Sequence, residues 1–204
     1  MRTVILVLSI VTATRACAVE AAPKAAVAVR TFNYAAMPNG ELAAAKSEAE
    51  HIFDEAGISL EWIDCRVPGT NDGAACTEPL LIGRDLMLRF VDRRSPEGER
   101  IVALGESMLD REQRGGVLMT VDLFPVRSVA NGAYTSVSTL LGRAVAHEIG
   151  HLLLGSGEHP RLGLMRALWS HEELRGLKPA HWKFSAREAS RMRHTLRGTP
   201  RTAD

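Results

Sequence analysis

Cysteine is scarce in this chain. Three occur in 204 residues, at positions 17, 65 and 76. A thiolate metal site built on Cys65 and Cys76 would need two further ligands close by, and none is evident. Aromatic residues make up only 5% of the chain, and the formal net charge is +1. No basic stripe interleaved with aromatics is present, so nucleic acid is not an expected partner. No apolar run reaches the roughly 20 residues that a membrane-spanning helix needs, and stable insertion in a membrane is not expected. There is no internal repeat. What remains is 46% hydrophobic content and a mean hydropathy of -0.04. That is the balance of a globular chain, long enough for one domain with a real core.

The N-terminus reads as a targeting segment. Arg2 precedes an apolar run over residues 4–11, and small residues follow up to Ala16, Cys17 and Ala18. This order of charged region, apolar region and A-x-A-like site predicts a signal peptide over 1–18 and a mature chain from Val19. Loss of Arg2 and Arg15 would leave 23 basic residues against 24 acidic. A lipid-bearing Cys17 is the alternative, but Thr14 stands where such sites usually carry leucine. Export predicts a periplasmic or extracellular protein, where thiols oxidise. Cys65 and Cys76 then remain as a pair flanking a Pro/Gly/Asn/Asp loop, and a disulfide between them is expected. Closing a loop of about ten residues stabilises by roughly 2–3 kcal/mol in the chain-entropy picture.

Residues 26–32 read as a strand and 41–56 as a helix, with Leu42, Ala45, Ala49, Ile52 and Phe53 at helical spacing and Gly57 as its stop. His51 on that helix reads as a surface or packing residue. Alternation predicts strands over 58–65 and 85–92, a short edge strand over 102–108 and another strand over 117–121. Residues 122–131 read as irregular, with Pro125 and Gly132 as breakers. A helix is predicted over 136–154, capped by Ser136 or Ser138 and ended at Gly155. It carries few charges and should be central and buried. Its small residues Gly142, Ala146 and Gly150 permit close approach of a neighbour. Ser185 and Glu188 form a capping-box pattern that opens a basic helix to about 197. Trp169, Trp182 and Phe184 read as packing residues.

The buried helix carries the chemistry. His147, Glu148 and His151 stand in an HExxH pattern. Two histidines four apart lie about 40° from each other around a helix axis, so both can reach one metal ion. Glu148 projects roughly 100° from His147, beside the metal, where a base for a metal-activated water belongs. A hydrolytic zinc takes three protein ligands and a water. His159 is the best third ligand, because the break at Gly155 and Gly157 can turn the chain back toward the helix and Pro160 keeps the helix from resuming. Glu158 is its local rival, and Glu172 or Glu173 are more distant ones. Tyr134 reads as structural, with an oxyanion role as the lesser alternative.

His147, Glu148 and His151, followed by Gly155, His159 and Met165, resemble the metzincin branch of zinc metallopeptidases, whose pattern is HExxHxxGxxH followed by a methionine turn. The likeness spans about residues 25–170. Gly155 is four residues after His151 and His159 is eight after it, one and two longer than the family pattern, so the turn leaving the helix must be longer. The resemblance implies an α+β fold: a small, twisted, mostly parallel sheet with an antiparallel edge strand, a backing helix, an active-site helix and a short helical C-terminal region. It implies zinc held by His147, His151 and His159, Glu148 as base, and Met165 as the apolar floor under the metal.

These readings predict a single domain over 19–204. It would hold an N-terminal subdomain at 25–158, a C-terminal subdomain at 159–197 and a disordered tail at 198–204. The predicted function is an exported zinc peptidase, monomeric, acting on a peptide or protein substrate by a zinc-activated water with Glu148 as general base. The edge strand would bind extended substrate by strand addition. A zinc-stabilised binding module without activity, and a zinc amidase acting on a small molecule, are the alternatives; a base at Glu148 favours an enzyme.

Overall fold

The computed structural model describes residues 24–65, 73–93, 103–110, 115–176, 179–198 and 201–202. The predicted signal peptide, and Val102 of the expected edge strand, lie outside the described residues.

The chain begins with strand β1 (Ala25–Asn33), helix α1 (Asn39–Glu55) and strand β2 (Ile58–Cys65). Leu42, Ala45, Ala49, Ile52 and Phe53 are the buried face of α1, as their spacing predicts. Gly57, at φ +72°, turns the chain from α1 into β2, a conformation that glycine alone adopts without strain. A short helix α2 (Ala74–Thr77) and strand β3 (Leu81–Ile82) lead to β4 (Asp85–Val91), where Leu86, Leu88 and Phe90 alternate inward. Strands β5 (Gly105–Asp110) and β6 (Gly115–Asp122) follow.

Five of these strands form one sheet in the order β2-β1-β4-β6-β5. The pairs β1/β2, β1/β4 and β4/β6 are parallel, and β5 runs antiparallel to β6 along the edge. The fold is therefore α+β with a mostly parallel sheet and an antiparallel edge strand, as the resemblance implies. The edge strand starts at Gly105 and reaches Asp110, three residues later than expected at its start and two later at its end.

Residues 122–131 are not irregular. Helix α3 spans Leu123–Ala133. Asp122 caps it, its carboxylate accepting from Phe124 N at 3.1 Å. Pro125 is the third helical residue, in the first turn, where no intrahelical donor is needed and proline is tolerated. Asp122 also holds Arg93 through Nε at 3.0 Å.

Helix α4 (Val137–Leu154) packs on the sheet and on α1. Ser136 caps its start, with Oγ 3.4 Å from Thr139 N. A Cβ on Gly142 would lie 2.5 Å from the Ala45 carbonyl oxygen, so this glycine lets α4 approach the backbone of α1. Arg143, buried on α4, binds Glu48 of α1 at 3.0 Å and stacks 3.8 Å over the Trp182 ring.

Beyond α4 come α5 (His171–Arg175), a 3-10 turn (Pro179–Trp182) and α6 (Ala186–Arg197), the last opened by the Ser185/Glu188 capping box. Leu164, Met165, Leu174, Trp182, Phe184, Ala189 and Met192 from this region join the same core as the sheet and α4. Burying each large apolar side chain contributes about 1.5–3 kcal/mol. Trp182 and Phe184 are packing residues, as read. Near the C-terminus Arg201 and Thr202 form strand β7, antiparallel to β3; residues 199–200 and 203–204 lie outside the described residues. Cys65 and Cys76 are joined by a disulfide. Among the described residues, no helix is long and apolar enough to cross a membrane.

Candidate metal centre

Helix α4 presents His147 and His151 one turn apart on its buried side, both nearly inaccessible. Each ring is oriented by a main-chain carbonyl. His147 Nδ1 lies 3.0 Å from the Leu164 carbonyl oxygen, and His151 Nδ1 lies 2.7 Å from that of Ser156. A carbonyl only accepts, so both Nδ1 atoms carry hydrogen and both Nε2 atoms present lone pairs. Trp169 Nε1 donates to the same Leu164 carbonyl at 3.3 Å, and its ring meets His147 edge to face at 5.7 Å.

The turn after α4 delivers the third imidazole. Gly155 ends the helix at φ 59° and ψ 35°, with its N–H reaching back to the carbonyls of His151 and Leu152. Ser156 N follows onto the His151 carbonyl at 3.3 Å. The longer exit then returns His159 to the helix. Its Nε2 lies 3.3 Å from His147 Nε2 and 3.2 Å from His151 Nε2, and the latter two are 2.9 Å apart. The two added residues are absorbed in the loop, and His159 remains exposed to the cleft.

This triangle fits a metal ion on chemical grounds. Three nitrogens each about 2.0–2.1 Å from a tetrahedral zinc stand roughly 3.3 Å from one another. The buried pair directs its Nδ1 hydrogens to carbonyls, so their Nε2 lone pairs converge. A cation satisfies such a cluster. Burial is the main reason that His147 is held down to about 4, with the neighbouring imidazoles adding to it against the Leu164 bond. His151 is lowered by burial as well. Both are therefore neutral, the form that binds metal.

Glu148 lies beside the histidines, buried, with its side chain against β5. Burial pushes its carboxyl up to about 7, opposed by the Ser107 hydrogen bond and reinforced by the charge of Glu106. The site opens into a cleft of about 670 Å³ bordered by β5, the 166–169 segment and the three histidines.

Met165 is buried below α4. The turn before it depends on Gly163, at φ +83°, and Leu164 N bonds the Lys183 carbonyl at 3.0 Å. The same turn supplies the carbonyl that holds His147. The structure thus brings His147, Glu148, His151, His159 and the Met165 turn together. It leaves out the rival ligands. Among the described residues the donor atoms that converge are those of His147, His151 and His159, without Glu158 or Glu172, and Glu173 bonds Arg166 Nη1 at 2.6 Å. Tyr134 is 87% exposed, takes the left-handed cap of α3 and does not border the cleft. Ser107 and Trp169 are site residues that the sequence reading missed as such. Neither carries a motif, and only the strand and turn geometry bring them to α4.

Neither a family model nor a curated protein matches the sequence. Solved structures do. A zinc-dependent peptidase from Methanocorpusculum labreanum matches with a TM-score of 0.53 at 14% identity, over 80% of this chain and 99% of that one. An archaemetzincin from Methanopyrus kandleri matches with a TM-score of 0.53 at 14% identity, over 85% of this chain and 97% of that one. The fold is metzincin-like. Within that metzincin-like frame, the three-histidine cluster is a zinc-type donor set.

Proposed function

We propose that this chain is an exported zinc-dependent peptidase with Glu148 as its general base and His147, His151 and His159 as its metal ligands. The observation that carries the reading is the triangle of Nε2 atoms with edges of 2.9, 3.2 and 3.3 Å, with a buried carboxyl beside it. When bound, zinc supplies Lewis acidity and lowers the pKa of a water toward about 7.

The chain's own residues do the remainder. The Leu164 and Ser156 carbonyls hold the two buried imidazoles in the tautomer that presents Nε2. Glu148, with its carboxyl near 7, is matched to accept a proton from water and return it to a leaving amine. Met165 closes the apolar side of the helix under the site. The β5 edge strand borders the cleft, a placement that suits an extended peptide lying alongside it. This favours cleavage within a chain, hence an endopeptidase, over action on a compact small molecule. The sequence at 1–18 and the disulfide between Cys65 and Cys76 support export.

The test is metal analysis together with hydrolysis of denatured casein by wild type and Glu148→Ala. One zinc per chain is expected in both, with the rate falling by about 10²–10⁴-fold in the variant. A zinc-loaded wild type that cleaves no unfolded protein, or a variant as fast as wild type, overturns the reading. Mass spectrometry of secreted material should place the mature N-terminus at Val19; an intact Met1 overturns export by this segment.

A further inference from the structure

Two oxygens of Glu148 converge on one hydroxyl. Ser107 Oγ lies 2.6 Å from Glu148 Oε2 and 2.9 Å from the Glu148 carbonyl oxygen. Ser107 belongs to β5 and Glu148 to α4, 41 residues apart. Residues two apart on a strand share a face, which puts Gly105 on the same side as Ser107. A Cβ on Gly105 would stand 2.9 Å from Glu148 Cγ and 3.0 Å from Oε1. The face of β5 turned toward α4 therefore meets the Glu148 side chain at two points, a hydroxyl on Oε2 and a bare α-carbon against Cγ and Oε1.

We propose that Ser107 is the positioning residue for Glu148, its hydroxyl holding Oε2 and so fixing the orientation of the carboxyl beside the three histidines. The inference rests on the reading of Glu148 as base. A serine hydroxyl has one hydrogen to give, and with two acceptors in reach the carboxylate oxygen takes it, because the charge-assisted bond is the stronger. The bond ties the carboxyl on α4 to β5, so the carboxyl keeps one orientation. Gly105 complements it: any side chain there would displace the part of Glu148 that Ser107 aligns. The strand that borders the substrate cleft is thus also the strand that aims the base.

The test compares Ser107→Thr with Ser107→Val in the zinc-loaded full chain, with denatured casein as substrate. The two side chains match in shape and both suit a strand, so their difference reports the hydroxyl. Threonine is expected to keep kcat within a few-fold of wild type. Valine is expected to lose about 10–100-fold in kcat, the scale of a misplaced catalytic group, with KM and zinc content unchanged. Ser107→Ala against wild type removes the same hydroxyl without an added methyl, and the same loss is expected. In a Glu148→Ala background, threonine and valine should show one common residual rate. Equal rates for the two in the presence of Glu148, or a valine loss that persists without Glu148, overturns the inference. If Glu148→Ala is inactive while the pair is equal, only this inference falls. If Glu148→Ala matches wild type, the reading of Glu148 as base falls first.

Discussion

Gly150 of α4 packs against Met165: a Cβ on Gly150 would stand 2.6 Å from Met165 Sδ and 2.8 Å from Phe184 Cε1. Gly150 lies on α4 beside His151, and Met165 follows the carbonyl that holds His147. The packing of one glycine is therefore coupled to the geometry of the metal ligands. Gly150→Ala is expected to destabilise by about 1–3 kcal/mol, the cost of overpacking a tight core. It should also weaken zinc binding, because the Leu164 carbonyl moves with the turn. Thermal unfolding and competitive zinc titration check both; unchanged zinc affinity would show that the turn yields without disturbing His147.

The exposed and buried histidines should separate stability from metal binding. His159→Ala is expected to leave the metal-free protein as stable as wild type. Its zinc affinity should fall by more than the roughly 10–100-fold that loss of an outer partner costs. His147→Ala should lower both, since His147 is buried and bonded to Leu164. Calorimetry of metal-free and zinc-loaded forms distinguishes the two patterns.

Glu48 neutralises a guanidinium that is buried on α4 and pressed on Trp182. Glu48→Ala is expected to cost on the order of 3 kcal/mol, because it leaves that charge unpaired. Adding Arg143→Met should recover most of the loss. Urea unfolding of the single and double variants measures it, and a double variant no better than the single would count against the unpaired charge as the cause.

Glu173 ties α5 to the segment after Met165. The hydrogen bond from Arg166 is the main reason its carboxyl is held down to about 2, with Ser170 N assisting; His181 Nδ1 also lies 3.6 Å from it. A carboxyl lowered in the folded state stabilises above its unfolded pKa and loses that contribution as pH falls through the folded one. Wild type should thus lose stability between about pH 4.5 and 2, and Glu173→Gln should be less stable near neutrality and flatter over that range. Denaturant midpoints against pH test it; parallel profiles would show that the pair contributes nothing.

The parts of the site that were legible in the sequence are those set by local spacing. The HExxH pair follows from helical periodicity alone, since residues four apart on a helix share a face wherever the helix sits. The buried face of α1, the Ser185 cap and the cysteine pair were readable for the same reason, their partners being near in the chain. Pro125 misled because its effect depends on position: it interrupts a helix in the interior and is harmless in the first turn. The two-residue strand β7 was not legible, because so short a segment has no alternation to read and its partner β3 is distant in the chain.

The sequence by itself determined the chemistry available: two histidines and a glutamate on one buried helix, a third histidine soon after, and the family these resemble. Only the tertiary structure decided which groups complete the site. It brought His159, rather than Glu158, Glu172 or Glu173, up to His147 and His151, because the path of a helix exit is set by the core it turns against. It brought Ser107 to Glu148 because sheet order, with β5 at the edge beside α4, is a property of strand pairing between distant segments. Spacing along a helix is local geometry, whereas the partner of a carboxylate 41 residues away is decided by which surfaces of the folded chain bury each other.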